Sequence, residues 1–147
     1  MKFGRLILKN KNAKIFIIGT GNMSRNYYRH IKFLEKECYL LFRDKESVNY
    51  KKAKEEFGES SLLNISKSRK MKCDLLLSCV GPENHIKSIK PFVNSTTILA
   101  VEKPASLDIE ELSTFKNKKN TFVLMNRRYY YWVSKVYELI KQRKVNP

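Results

Sequence analysis

The stretch KIFIIGTGNMSRNYYRHIKFL, residues 14–34, decides how the chain is read. Lys14 to Ile18 is apolar on both faces, as a strand buried between two helix layers must be. Two glycines follow, Gly19 and Gly21, and then apolar residues return at spacings of three and four. Met23, Tyr27, Ile31 and Leu34 are expected on one inward helical stripe, with Arg25, Arg29 and Lys32 turned away from it. Strand, glycine turn and helix in this order form the first half of a βαβ unit.

The same rhythm continues. CYLLF (38–42) reads as a second strand, and SVNYKKAKEEFG as a helix with Tyr50, Ala53 and Phe57 inward and Gly58 at its stop. SLLNI reads as a short third strand and CDLLLSCV (73–80) as a fourth, ended by Gly81-Pro82. Ile86, Ile89 and Val93 then mark a helix, TTILAV a fifth strand, and SLDIEELSTF a helix with Asp108 as cap and Glu111 closing a capping box. TFVLM is the sixth strand, and a last amphipathic helix carries Val133, Val136 and Ile140 inward. The expected fold class is α/β: a Rossmann-type, doubly wound parallel sheet of about six strands in one domain, residues 13–147. Residues 1–12 are either a basic N-terminal extension or, through GRLIL, an edge strand.

Composition narrows the function classes. A chain of 147 residues with 42% hydrophobic content has room for one cored domain. It contains no apolar run of the ~18–20 residues that cross a bilayer, and its start is too short in apolar residues for a signal peptide, so a cytoplasmic location and no membrane partner are expected. Cys38, Cys73 and Cys79 form no C-x-x-C pair and read as reduced thiols, two of them as small core residues. His30 and His85 stand far apart, so no metal site can be written. The formal charge of +16 raises affinity for any polyanion. Yet the lysines are scattered through every segment and alternate with Glu, without zinc-finger or RNA-recognition spacing, and specific nucleic-acid binding is not expected.

Gly19, Thr20, Gly21, Asn22, Met23 and Ser24 form a G-x-G-x-x-S version of the dinucleotide fingerprint. Gly19 permits the sharp turn, Gly21 lets a pyrophosphate approach the backbone, and the helix start offers unpaired N–H groups. Ser24 replaces the small third residue with one nearly as small. At the end of the second strand, Phe42, Arg43 and Asp44 leave two alignments open. With the acid position at Phe42, Arg43 suits the 2′-phosphate of NADP; with it at Asp44, the ribose hydroxyls of NAD are served. The expectation leans slightly to NADP.

Three further stretches sit at strand ends on the sheet's carboxyl edge: SCVGPENH (78–85), VEKPAS (101–106) and LMNRRY (124–129). Through Glu102-Lys103-Pro104, the Gly19 turn, the Pro82 to His85 segment, and Asn126 with Arg128, the chain resembles the glucose-fructose oxidoreductase and inositol dehydrogenase (Gfo/Idh/MocA) family. The resemblance covers about residues 13–143. It implies an NAD or NADP cofactor and a sugar, polyol or nucleotide-sugar substrate. It also implies that Lys103 stands beside nicotinamide and substrate, polarising or helping to deprotonate a hydroxyl as hydride leaves. Glu102 and Asn126 would border the nicotinamide and its ribose. The loop of Val80, Gly81, Pro82, Asn84 and His85 would lie along the cofactor, with Gly81 departing from the Thr or Pro common there, and Arg128 completes the set. Family members continue into an α+β substrate domain carrying an Asp and a His for proton transfer, whereas this chain stops at Pro147. The resemblance therefore implies cofactor binding with little turnover alone, as a truncated product, as a half completed by a separate chain, or as a reused nucleotide-binding or interaction scaffold. The aromatics of RRYYYW (127–132), left without that domain, are expected to form a self-association or partner surface.

Overall fold

The computed structural model describes residues 10–93, 96–113, 120–125 and 131–142. Six strands form one wholly parallel sheet: β1 (Lys14–Ile18), β2 (Glu37–Phe42), β3 (Leu62–Asn64), β4 (Cys73–Ser78), β5 (Thr96–Glu102) and β6 (Thr121–Leu124). The intervening helices are α1 (Asn22–Phe33), α2 (Val48–Phe57), α3 (Ile65–Ser68), α4 (His85–Ile89), α5 (Ile109–Ser113) and, after β6, α6 (Tyr131–Lys141). The spatial order is β3-β2-β1-β4-β5-β6. The chain runs outward from β1 to β3 and then returns to lay β4 against the other side of β1, so the order reverses between β1 and β4. Ligands of open parallel sheets bind outside the strand ends at such a reversal.

Alternation along the strands builds two cores. Ile15 and Ile17 face one layer with Leu40, Phe42 and Leu77, covered by Tyr28 of α1 and by Tyr50 and Ala53 of α2. Phe16 and Ile18 face the other with Leu41, Leu76, Leu99 and Val101, covered by Ile65, Ile86, Ile89 and Phe92. A strand buried on both faces has no polar side to show, which is why these segments read as unbroken apolar runs.

Two expectations about helix faces and one about a cap are corrected. On α1 the buried residues are Ser24, Arg25 and Tyr28, while Met23 and Leu34, both expected inward, are 44% and 48% exposed. The inward line starts at Ser24, whose Oγ lies 3.0 Å from where a Cβ on Gly19 would stand, so the first turn packs against the glycine turn. In α6, Val136 and Ile140 are exposed rather than inward. At α5, Asp108 Oδ1 does accept the Glu110 N–H at 2.8 Å, but Glu111 closes no box. It accepts the Ser106 hydroxyl at 2.9 Å, and Ser106 Oγ takes the Asp108 N–H at 3.0 Å. Residues 1–9 and most of RRYYYW lie outside the described residues; Tyr131 is exposed. Among the described residues no helix is long and apolar enough to cross a membrane.

Candidate functional site

The β1–α1 turn is built around two glycines with different reasons. Gly19 has φ +109°, and a Cβ there would stand 3.0 Å from Ser24 Oγ and 3.1 Å from the Cys79 carbonyl oxygen. Both the dihedral and the close approach of turn to strand demand glycine. Its N–H donates to the Leu41 carbonyl at 2.9 Å, and the Cys79 N–H donates to the Ile18 carbonyl at 3.0 Å, so β2, β1 and β4 stay stitched together to their ends. Gly21 is the residue before α1, with φ −70° and ψ −179°, a conformation open to any residue. A Cβ on Gly21 would meet nothing within 4 Å. The fold therefore does not require glycine here; the space above it is free.

That space faces the start of α1. No side chain caps this helix and no acid occupies its first turn. Its first N–H groups and the positive end of its dipole are left for an anion. Asn22 and Met23 of that turn are exposed. Arg25, expected on the outer face, is instead folded back under the turn. Its guanidinium donates to the Thr20 carbonyl at 3.1 Å and to Asn22 Oδ1, and pairs with Glu56 of α2 at 3.3 Å. This clamp fixes the turn from below and adds positive charge there.

Beside the turn a cleft of ≈ 220 Å³ opens at the carboxyl ends of β1, β2 and β4. Gly19, Thr20, Arg43, Asp44, Val80 and Asn84 line it, with Phe42 at its wall. Three sequence-distant segments of the expectation thus meet at the reversal of strand order. Asp44 is partly committed, since its Oδ1 accepts the Glu46 N–H at 2.8 Å. Arg43 is exposed and makes no hydrogen bond or ion pair among the described residues. A second cavity, ≈ 270 Å³, lies on the far side of Phe42 toward β3, lined by Tyr50, Leu62, Asn64 and Lys67 among others. It is the larger, but it has neither a glycine turn nor the N-terminus of α1, and none of the expected residues lines it.

Gly81, Pro82 and Asn84 stand on the loop after β4, where Pro82–Asn84 forms a 3-10 turn. His85 begins α4 and points away from the cleft region into the core: it is 1% exposed, with Nδ1 2.8 Å from Ser78 Oγ, which in turn lies 3.1 Å from Ser88 Oγ. Burial pushes its pKa down, against the opposing charges of Glu102 and Glu83. As placed, it supports the loop from behind and presents no surface to a cofactor.

Glu102 is the last residue of β5 and is buried; Lys103 follows it, exposed, before a cis bond to Pro104. The Tyr27 phenol of α1 donates to Glu102 Oε1, and the Lys103 N–H donates to Oε2 at 3.2 Å. Close by, burial and the Glu102 charge push the Cys79 thiol up to about 12, with Ser24 pulling the other way. Asn126 and Arg128 lie outside the described residues. Among the described residues, no three His, Cys, Asp or Glu side chains gather as metal ligands.

Arg25 and Tyr27 are the site residues that the sequence reading passed over. Arg25 left a signal, a cation directly after the fingerprint's third position. Tyr27 left none, because its partner is 75 residues away.

No family model and no curated protein matches the sequence. Solved structures do match. The myo-inositol dehydrogenase of Lactobacillus casei, in complex with NAD(H) and myo-inositol, is 17% identical, with TM-score 0.71 over 89% of this chain and 42% of that one. The apo scyllo-inositol dehydrogenase of the same organism is 18% identical, with TM-score 0.75 over 92% and 43%. The WlbA dehydrogenase of Bordetella pertussis, in complex with NADH and UDP-GlcNAcA, is 16% identical, with TM-score 0.72 over 89% and 42%. The chain thus spans less than half the length of these proteins. What it shares with them is the fold: a six-stranded parallel Rossmann-type sheet of the kind found in inositol and nucleotide-sugar dehydrogenases.

Proposed function

We propose that the chain binds a nicotinamide dinucleotide across the carboxyl edge of its sheet, as the cofactor half of a Gfo/Idh/MocA-like oxidoreductase acting on a sugar or polyol hydroxyl. The carrying observation is Gly21: a glycine that the backbone does not need, with open space where its Cβ would be, at the uncapped start of α1. A pyrophosphate is the group that needs both the missing Cβ and the free N–H groups. The solved structures of similar fold that hold NAD(H) or NADH support the reading.

In this arrangement the first-turn N–H groups of α1 hold the pyrophosphate, and the Arg25 clamp keeps the turn in place. The cleft beside Arg43 and Asp44 takes the adenosine end. Arg43, exposed and without a partner among the described residues, favours the 2′-phosphate of NADP slightly over the hydroxyls of NAD. Val80, Gly81, Pro82 and Asn84 flank the cofactor toward β5, where Glu102 and Lys103 border the reacting end. The bound nicotinamide supplies the hydride acceptor or donor. Lys103 directs its ammonium at the substrate hydroxyl and assists its proton transfer. Hydride transfer depends on positioning, and the chain spans only 42% of the dehydrogenase that holds both NAD(H) and myo-inositol. The 147 residues by themselves therefore bind the dinucleotide with little turnover.

Titration calorimetry with NAD, NADH, NADP and NADPH tests this reading: saturable binding with NADP preferred is expected, a preference for NAD removes the Arg43 argument, and no binding sinks the reading. Sugar or polyol dehydrogenation by the isolated chain, abolished by Lys103→Ala, would overturn the claim of low turnover. Tyr131, of the aromatic run 127–132, is exposed, and we propose that this run associates with a second copy or with a separate chain. Light scattering over rising concentration reads self-association, and a monomer throughout counts against it.

A further inference from the structure

Tyr27 joins two parts of the molecule that no strand pairing joins. Its phenol reaches from α1 to Glu102 at the end of β5, across 75 residues of sequence. Glu102 is only 8% exposed, and its second oxygen accepts the Lys103 N–H at 3.2 Å. A carboxylate this deep needs its lone pairs occupied, and bonds to a charged acceptor are the strong ones. The carboxylate therefore has little freedom to turn, and neither has the backbone that starts the Glu-Lys-Pro turn. The helix carrying the phenol is the same one whose N-terminus closes the glycine turn.

We propose that Tyr27 is a positioning residue. By holding Glu102 it fixes the Lys103 turn against α1, so that the glycine turn and the Lys103 turn keep one spacing. What that spacing serves, a dinucleotide reaching from one turn to the other, rests on the reading given above; the mechanical coupling does not.

The neighbouring residue supplies a matched control. Tyr28 sits about 100° further round the helix, and its phenol donates to Ser61 Oγ at 2.6 Å, far from Glu102 in sequence. Tyr27→Phe and Tyr28→Phe each remove a phenol hydroxyl from the same helix. In the free protein, amide exchange read by mass spectrometry over residues 102–106 is expected to quicken about tenfold in Tyr27→Phe relative to Tyr28→Phe. The Lys103 amide proton resonance moves in the first variant and not in the second. In a cycle with Glu102→Gln, the double variant is expected to be no worse than the worse single one, as for two residues acting as a unit. Affinity for NADP or NAD, whichever the wild type binds better, should fall about tenfold in Tyr27→Phe alone. Equal exchange and an unmoved resonance in the two tyrosine variants overturn the proposal. So does quickening spread evenly over the whole chain, which would mark a loss of stability only. Should the wild type bind no dinucleotide, the functional reading falls, while exchange and resonance still decide on Tyr27.

Discussion

Gly19→Ala is the substitution whose cost can be worked out most fully. At φ +109° an alanine sits outside its allowed regions, which costs roughly 1–3 kcal/mol. Its Cβ would also press on two neighbours. Ser24 Oγ, at 3.0 Å, can rotate away, but the Cys79 carbonyl, at 3.1 Å, is fixed by the β4 backbone. Overpacking of this limited kind adds about 1–2 kcal/mol, for a total of roughly 2–5 kcal/mol out of the ~5–15 kcal/mol that holds a domain together. In urea, with a slope of about 2 kcal/mol/M, the midpoint should fall by roughly 1–2.5 M at unchanged slope. Gly21→Ala is the internal control. Its backbone already suits alanine and its Cβ meets nothing within 4 Å, so the entropy gained in the unfolded chain and the poorer N-cap should cancel to within about 0.5 kcal/mol. Equal midpoints for Gly19→Ala and wild type would refute the claim that the turn is built on Gly19's geometry. A Gly21→Ala cost as large as that of Gly19→Ala would refute the distinction between the two glycines.

Arg25→Met keeps the buried stem and removes the clamp. We expect a stability loss of about 1–3 kcal/mol by urea denaturation and weaker dinucleotide binding than in Arg29→Met, whose guanidinium lies on the exposed side; equal binding by both variants would remove Arg25 from the site. His85 has its pKa lowered by burial, so the unfolded chain, with its ordinary value of 6.5, binds the extra proton. The stability it contributes is therefore full above pH 6.5 and is lost as pH falls through 6.5 toward the folded value. Denaturation midpoints between about pH 7.5 and about pH 5.5 should drop more in wild type than in His85→Gln, and equal drops would contradict the assignment.

The elements and their order were legible because the strands are buried on both faces. Runs such as KIFII and CDLLL have no competing amphipathic reading, and the sheet they form is the one expected. The turn was legible as well, since Gly19 and Gly21 stand between a buried strand and a helix. The faces of helices were harder to read. Met23 and Leu34 sit at the two ends of α1 and stay half-exposed, while the small Ser24 takes the inward place against the turn. Val136 and Ile140 have helical spacing, but spacing cannot say what the stripe packs against, and in α6 it meets solvent. His85 begins a helix, but its burial was not legible, because its neighbours Ser78 and Ser88 belong to two elements that only the fold brings around it. Long-range pairs such as Tyr27 with Glu102 leave no local trace at all.

The central claim is that the open space over Gly21 is reserved for a pyrophosphate. Calorimetric titration of wild type and Gly21→Val with the four nicotinamide dinucleotides tests it most directly, because the valine puts its bulk into that space, where a Cβ meets nothing within 4 Å. The account predicts saturable binding by the wild type and none by a Gly21→Val protein that melts at the wild-type temperature. Equal binding by both proteins would place the cofactor elsewhere, and binding by neither would leave a Rossmann-type fold used as a scaffold.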